Sequence, residues 1–147
     1  MKKHLLAALL ALAPVTVAAA ELEISGAILR ASPKVANAGA GFVTIKNPNA
    51  EGDTLLGAEA DISAKVELHT HINDNGVMLM RQVPAIPVPA GEVTALKPGA
   101  DHIMFITLNK PLSEGQTVPV TLVFAKAGRK VVDFPVVPLR TGAAPAQ

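Results

Sequence analysis

Val66-Glu67-Leu68-His69-Thr70-His71-Ile72, then Asn73-Asp74-Asn75-Gly76, then Val77-Met78-Leu79-Met80-Arg81-Gln82-Val83 is the stretch whose reading decides the fold. Two short β-type runs flank a cluster of turn formers, and that order predicts a hairpin. Side chains alternate faces along a strand, so His69 and His71 share one face, and so do Met78 and Met80. Two registers are open. If Asn73 to Gly76 all belong to the loop, His69 lies opposite Met80, and this is the pairing we expect; a two-residue Asn75-Gly76 turn places His71 opposite Met80 instead. In both, the four side chains share a face, and opposed Cβ atoms sit roughly 5 Å apart.

Outward from this hairpin the chain repeats the pattern. The predicted strands are Leu22–Ala31, Gly41–Lys46, Thr54–Ala58, Val66–Ile72, Val77–Val83, Glu92–Leu96, His102–Leu108, Val118–Phe124 and Lys130–Pro135. Asn47-Pro48-Asn49, Pro89-Ala90-Gly91, Lys97-Pro98-Gly99 and Ala127-Gly128 punctuate them. Pro84, Pro87 and Pro89 lack ladder donors, so their segment reads as an edge or an extended crossover, as a Greek key would use. No stretch has a long helical period, and the fold class is an all-β sandwich or small barrel.

At the N-terminus Lys2 and Lys3 precede an apolar run from Leu5 to Val17, and Ala18-Ala19-Ala20 supplies a small-residue cleavage pattern. We read residues 1–20 as a signal peptide cut after Ala20, because the run is too short for a membrane span. Residues 21–140 then form one domain, and residues 141–147 a flexible tail. The exported chain has 127 residues, with 11 basic against 12 acidic side chains, so its formal charge is −1 where the whole chain has +1. That balance argues against nucleic-acid binding, and no membrane span is expected in the mature chain. The chain contains no Cys. A blue-copper centre, an iron–sulfur cluster and a thiol nucleophile are thereby excluded.

The mature chain has three histidines, His69, His71 and His102, and three methionines, Met78, Met80 and Met104. All six fall between positions 69 and 104. His102 and Met104 form a third same-face pair. Thioether sulfur is soft and a poor ligand for Zn²⁺, Mg²⁺ or Ca²⁺, whereas imidazole with thioether suits Cu(I). Glu67 and Asp101 are expected off the ligand face, as surface or turn residues, and Arg81 on the opposite, solvated side. Any single methionine in a strand is more often core filler than ligand, and it is the joint placement that points to a metal.

The spacing also resembles the PCu(A)C family, whose motif is His, ten residues, Met, twenty-one residues, then His-x-Met. His69, Met80 and His102-Ile103-Met104 reproduce it without a gap. Val66-Glu67-Leu68-His69, Gly76-Val77-Met78-Leu79-Met80-Arg81 and Leu96-Lys97-Pro98-Gly99 are similar to the family as well. The resemblance implies a cupredoxin-like Greek-key sandwich and a periplasmic copper chaperone that carries one Cu(I). The implied ligands are His69, Met80, His102 and Met104, with His71 and Met78 as accessory positions. Delivery is implied toward the copper sites of cytochrome c oxidase, through an oxidase subunit or another periplasmic copper chaperone. A copper redox enzyme would want more His and often Cys or Tyr, and the chain has neither Cys nor Tyr. A structural periplasmic sandwich without metal is the remaining class.

Overall fold

The computed structural model describes residues 18–32 and 37–138. The signal peptide lies almost wholly outside these residues, and the C-terminal tail entirely so. The described residues contain ten strands and no helix. They are β1 (Glu23–Ala31), β2 (Ala38–Lys46), β3 (Asp53–Glu59), β4 (Ser63–Asp74), β5 (Val77–Val83), β6 (Ile86–Val88), β7 (Val93–Leu96), β8 (His102–Leu108), β9 (Thr117–Phe124) and β10 (Gly128–Pro135).

Two sheets face each other. One runs β1-β2-β8-β4-β5 with β7 also paired to β2, and the other runs β10-β9-β3-β6. The chain repeatedly changes sheet, so β4 pairs with β8 and not with its sequence neighbour β3, as a Greek-key sandwich requires. All the strand pairs are antiparallel apart from one parallel bridge, Leu29 to Val136, which links β1 to the residue after β10 and closes that side. The proline-rich stretch forms the short strand β6 at the edge of the second sheet, where a missing donor costs least.

Alternation builds the core. Val118, Val120, Leu122 and Phe124 of β9 point inward and are buried, and they meet Leu29, Val43, Ile45, Leu68, Ile103 and Phe105 from the opposite sheet. Gly41 lies where two aromatic rings converge: a Cβ there would stand 2.9 Å from Phe105 and 3.3 Å from Phe134. Only a residue without a side chain lets β2 pass at that distance.

The β4–β5 hairpin takes the two-residue register. Asp74 pairs with Val77 and His71 with Met80, while His69 lies opposite Gln82. Asn75 and Gly76 have φ of 50° and 87°, the conformation of a type I′ turn, and Asn73 Oδ1 accepts the Gly76 N–H at 2.7 Å. The expected His69–Met80 pairing is therefore corrected. The I′ turn matches the strands' right-handed twist, so the ladder continues through Asn73 and Asp74 instead of stopping before them.

Candidate metal centre

The sheet containing β4, β8 and β5 has a core face and an outer face. Leu68, Ile103 and Phe105 occupy the core face. By alternation, Glu67, His69 and His71 of β4, His102 and Met104 of β8, and Met78, Met80 and Gln82 of β5 share the outer face. His69 lies opposite His102 on one side and Gln82 on the other.

On this face His102 and Met104 are nonetheless buried, at 2% and 3% exposure, whereas Met80 is 40% exposed. The Phe42 ring of β2 sits 6.3 Å from that of His102. Lys97 to Asp101 form a tight turn beside it, closed by Lys97 N–H to Asp101 O at 2.9 Å and Ala100 N–H to Lys97 O at 3.1 Å. The Ala100 carbonyl accepts from His102 Nδ1 at 2.9 Å and from His71 Nδ1 at 3.2 Å. A carbonyl only accepts, so both rings are assigned their proton on Nδ1, which leaves Nε2 with a free lone pair. Burial pushes the His102 imidazole pKa down; the Ala100 hydrogen bond opposes this, and His71 and His69 reinforce it.

His69 is arranged the other way round. Its Nε2 lies 2.7 Å from Glu67 Oε2, and its Nδ1 is buried without a hydrogen-bond partner. The His69 and His102 ring centroids are 5.8 Å apart, and those of His71 and His102 5.1 Å apart. With imidazole–metal bonds of about 2 Å, an ion could bridge either pair.

The sequence-predicted residues do not all meet. His69, His102 and Met104 are contiguous, with Met104 opposite Glu67 and diagonal to His69. Met80 sits on the other diagonal, opposite His71. Two strand spacings and four residues separate Met80 from Met104, which is roughly 10 Å across the sheet and 14 Å along it. Both long side chains must lean toward His69 to share one ion. A single exposed patch is not what the face presents, because half of the four residues are buried. Met78, opposite Asn73 and 54% exposed, lies a further pair away. His71 is closer to the centre than Met78. Among the described residues no group of three His, Cys, Asp or Glu side chains is already disposed to hold a metal ion.

Glu67 is where the sequence reading went astray. It precedes His69 by two residues and so shares its face, and the structure places it beside the imidazole with its side chain only 7% exposed. Lys65 Nζ is paired with the other oxygen, Oε1. Hydrogen bonds from Lys65 and then His69 hold the Glu67 carboxyl below the usual range. Counting parity from Glu67 puts it on the face of His69, though not in contact with the ring. Asp101 does lie in the turn, and Arg81 is exposed.

Residues 22–136 match the family described as "Putative lipoprotein LpqE-like". Among relatives, "Putative lipoprotein Lxx21020" of Leifsonia xyli subsp. xyli is 32% identical over 112 residues, which cover 74% of this chain and 68% of that one. The uncharacterized protein RP573 of Rickettsia prowazekii is 30% identical over 104 residues, 70% of this chain and 57% of that one. Among solved structures, the copper-bound PCuAC domain from PmoF2 superposes with a TM-score of 0.69 at 23% identity, over 84% of this chain and 97% of that domain. The solution structure of CuI-DR1885 from Deinococcus radiodurans does so with a TM-score of 0.60 at 28% identity, over 77% of this chain and 74% of that one. The chain therefore belongs to the LpqE-like family, and its ten strands form a cupredoxin-like sandwich of the PCuAC kind.

Proposed function

We propose that this chain is an exported copper chaperone that holds one Cu(I) on the outer face of its larger sheet and passes it to another protein without catalysing a reaction. The ligands in this reading are His69, His102, Met104 and Met80. The observation that carries it is the buried, unpartnered Nδ1 of His69, 5.8 Å ring to ring from His102 and diagonal to the buried Met104. A buried lone pair without a donor is costly, and a soft cation flanked by imidazole and thioether relieves it. The Cu(I) form of the similar DR1885 protein supports the cargo.

The four donors divide by burial. His102 is tied to the β7–β8 turn and Met104 is buried between Ala40 of β2 and Glu67 of β4, while Met80 projects from β5, the outermost strand of its sheet. Transfer then proceeds by ligand exchange. An incoming donor replaces the exposed Met80 sulfur first, the ion stays Cu(I) throughout, and the buried ligands release last. The recipient is a copper-accepting subunit of cytochrome c oxidase or another periplasmic copper chaperone. Export is supported by the amino-terminal Lys and apolar pattern and by the lipoprotein description of the family and of the Leifsonia xyli relative.

Titration of the purified protein with Cu(I) against a calibrated chelator tests the proposal. One equivalent should bind. Met80→Leu/Met104→Leu should lose Cu(I) while keeping weak Cu(II) binding through the imidazoles, and Met78→Leu should change little. Retention of Cu(I) by the double variant at the parent's affinity would overturn the ligand set.

A further inference from the structure

We infer that Glu67 is a positioning residue for the ion: its carboxylate locks the His69 ring so that Nδ1 is the donating nitrogen, while the Ala100 carbonyl imposes Nε2 on His102. The inference rests on the copper reading above and adds to it which nitrogens bind and which residue sets one of them.

An ionised carboxylate can only accept, and a neutral imidazole carries one proton. With Glu67 Oε2 at 2.7 Å from His69 Nε2, that proton sits on Nε2 and the lone pair is on Nδ1. Nδ1 is the buried atom for which the protein supplies no partner. Glu67 itself cannot easily turn away. Its side chain is 7% exposed, with Lys65 on one oxygen and His69 on the other. With both oxygens engaged, it is withheld from the ion as a hard ligand and acts through the ring instead.

The opposite arrangement at His102 makes the pair asymmetric. Its Nδ1 is spent on the Ala100 carbonyl, so only Nε2 can donate. Nδ1 is attached next to the side-chain branch point and Nε2 lies at the far corner of the ring. His69 would therefore offer an ion the nitrogen nearer its backbone, and His102 the distal one. An ordinary surface ion pair between Glu67 and His69 would leave no buried bare nitrogen behind it.

Two-bond proton–nitrogen spectra of the ¹⁵N-labelled, metal-free protein at neutral pH read the tautomers directly. His69 should show its unprotonated nitrogen at Nδ1, and His102 at Nε2. In Glu67→Ala the His69 preference should disappear and Cu(I) affinity should fall about 10- to 100-fold. Glu67→Gln keeps an accepting oxygen and should retain most of both. Should Glu67→Ala not fold, the parent spectrum and Glu67→Gln still decide. A His69 proton on Nδ1 in the parent would overturn the inference, as would a folded Glu67→Ala with parental tautomer and affinity. Absence of Cu(I) uptake by the parent would instead refute the copper reading, and the spectrum would still decide whether Glu67 sets the tautomer.

Discussion

His69 and His102 are directly opposed across β4 and β8, with ring centroids 5.8 Å apart, yet each ring is tethered by a different nitrogen to a different partner. Two imidazoles held this way would be preorganised before an ion arrives, and the metal-free protein is expected to keep its fold, with chelation leaving the melting temperature nearly unchanged. A domain of about this size buries enough apolar surface to stand alone.

The two motif methionines should therefore behave differently in the apo protein. Met104 is buried, and Met104→Ala should cost about 2–5 kcal/mol by leaving a cavity. Met80 is exposed on the outermost strand, and Met80→Ala should stay within about 0.5 kcal/mol of the parent. Urea unfolding of the metal-free variants checks this, alongside Cu(I) competition, in which both should bind more weakly. Equal losses of stability would show that β5 is not an independent, exposed ligand strand.

Gly41→Ala should destabilise the domain by about 1–3 kcal/mol, since its new methyl group would stand 2.9 Å from the Phe105 ring. Neither Phe105 nor Phe134 has room to retreat, both being fully buried. Thermal unfolding measures the cost, and a neutral result would mean that β2 can shift away from the core.

Asp53 ties three backbone N–H groups together: Oδ1 accepts from Thr54 at 2.7 Å and from Lys126 at 2.9 Å, and Oδ2 accepts from Ala127 at 2.9 Å. Burial pushes its pKa up, but the three backbone donors and the nearby Lys126 charge outweigh burial and hold it below the usual value. A carboxylate depressed in the folded state contributes stability that is fully present above its unfolded pKa of about 4 and is lost as pH falls through the folded value. Asp53→Asn should cost about 1–3 kcal/mol at neutral pH. Its deficit should shrink as pH drops below about 4, and a deficit independent of pH would assign the loss to shape and not to charge.

The exported protein should begin at Glu21, and its intact mass should match residues 21–147. Asn49 holds both backbone groups of Ala20, accepting its N–H at 2.8 Å and donating to its carbonyl at 2.8 Å. A mass heavier by alanine residues would move the cut upstream and keep that pairing in the mature protein.

Much of this was legible in the chain itself. Alternation in Val118–Phe124 is legible as a strand with one buried face, because burial on one side of a pleat writes a period of two into the residues. The same parity placed His69 with His71, and His102 with Met104, before any contact was known. Soft donors with no cysteine narrowed the metal on chemistry alone.

The hairpin register, the burial of Met104 and the role of Glu67 came only from the folded structure. Asn73-Asp74-Asn75-Gly76 is compatible with a two- or a four-residue loop, and the choice depends on the twist of strands that the turn must join. Met104 sits on a face that alternation alone would leave to solvent, and it is buried there among side chains from other segments. Glu67 becomes a partner of His69 only when β4 is laid against β8, because a carboxylate two residues from an imidazole is solvated on an open strand and is held in place only where tertiary packing removes the water.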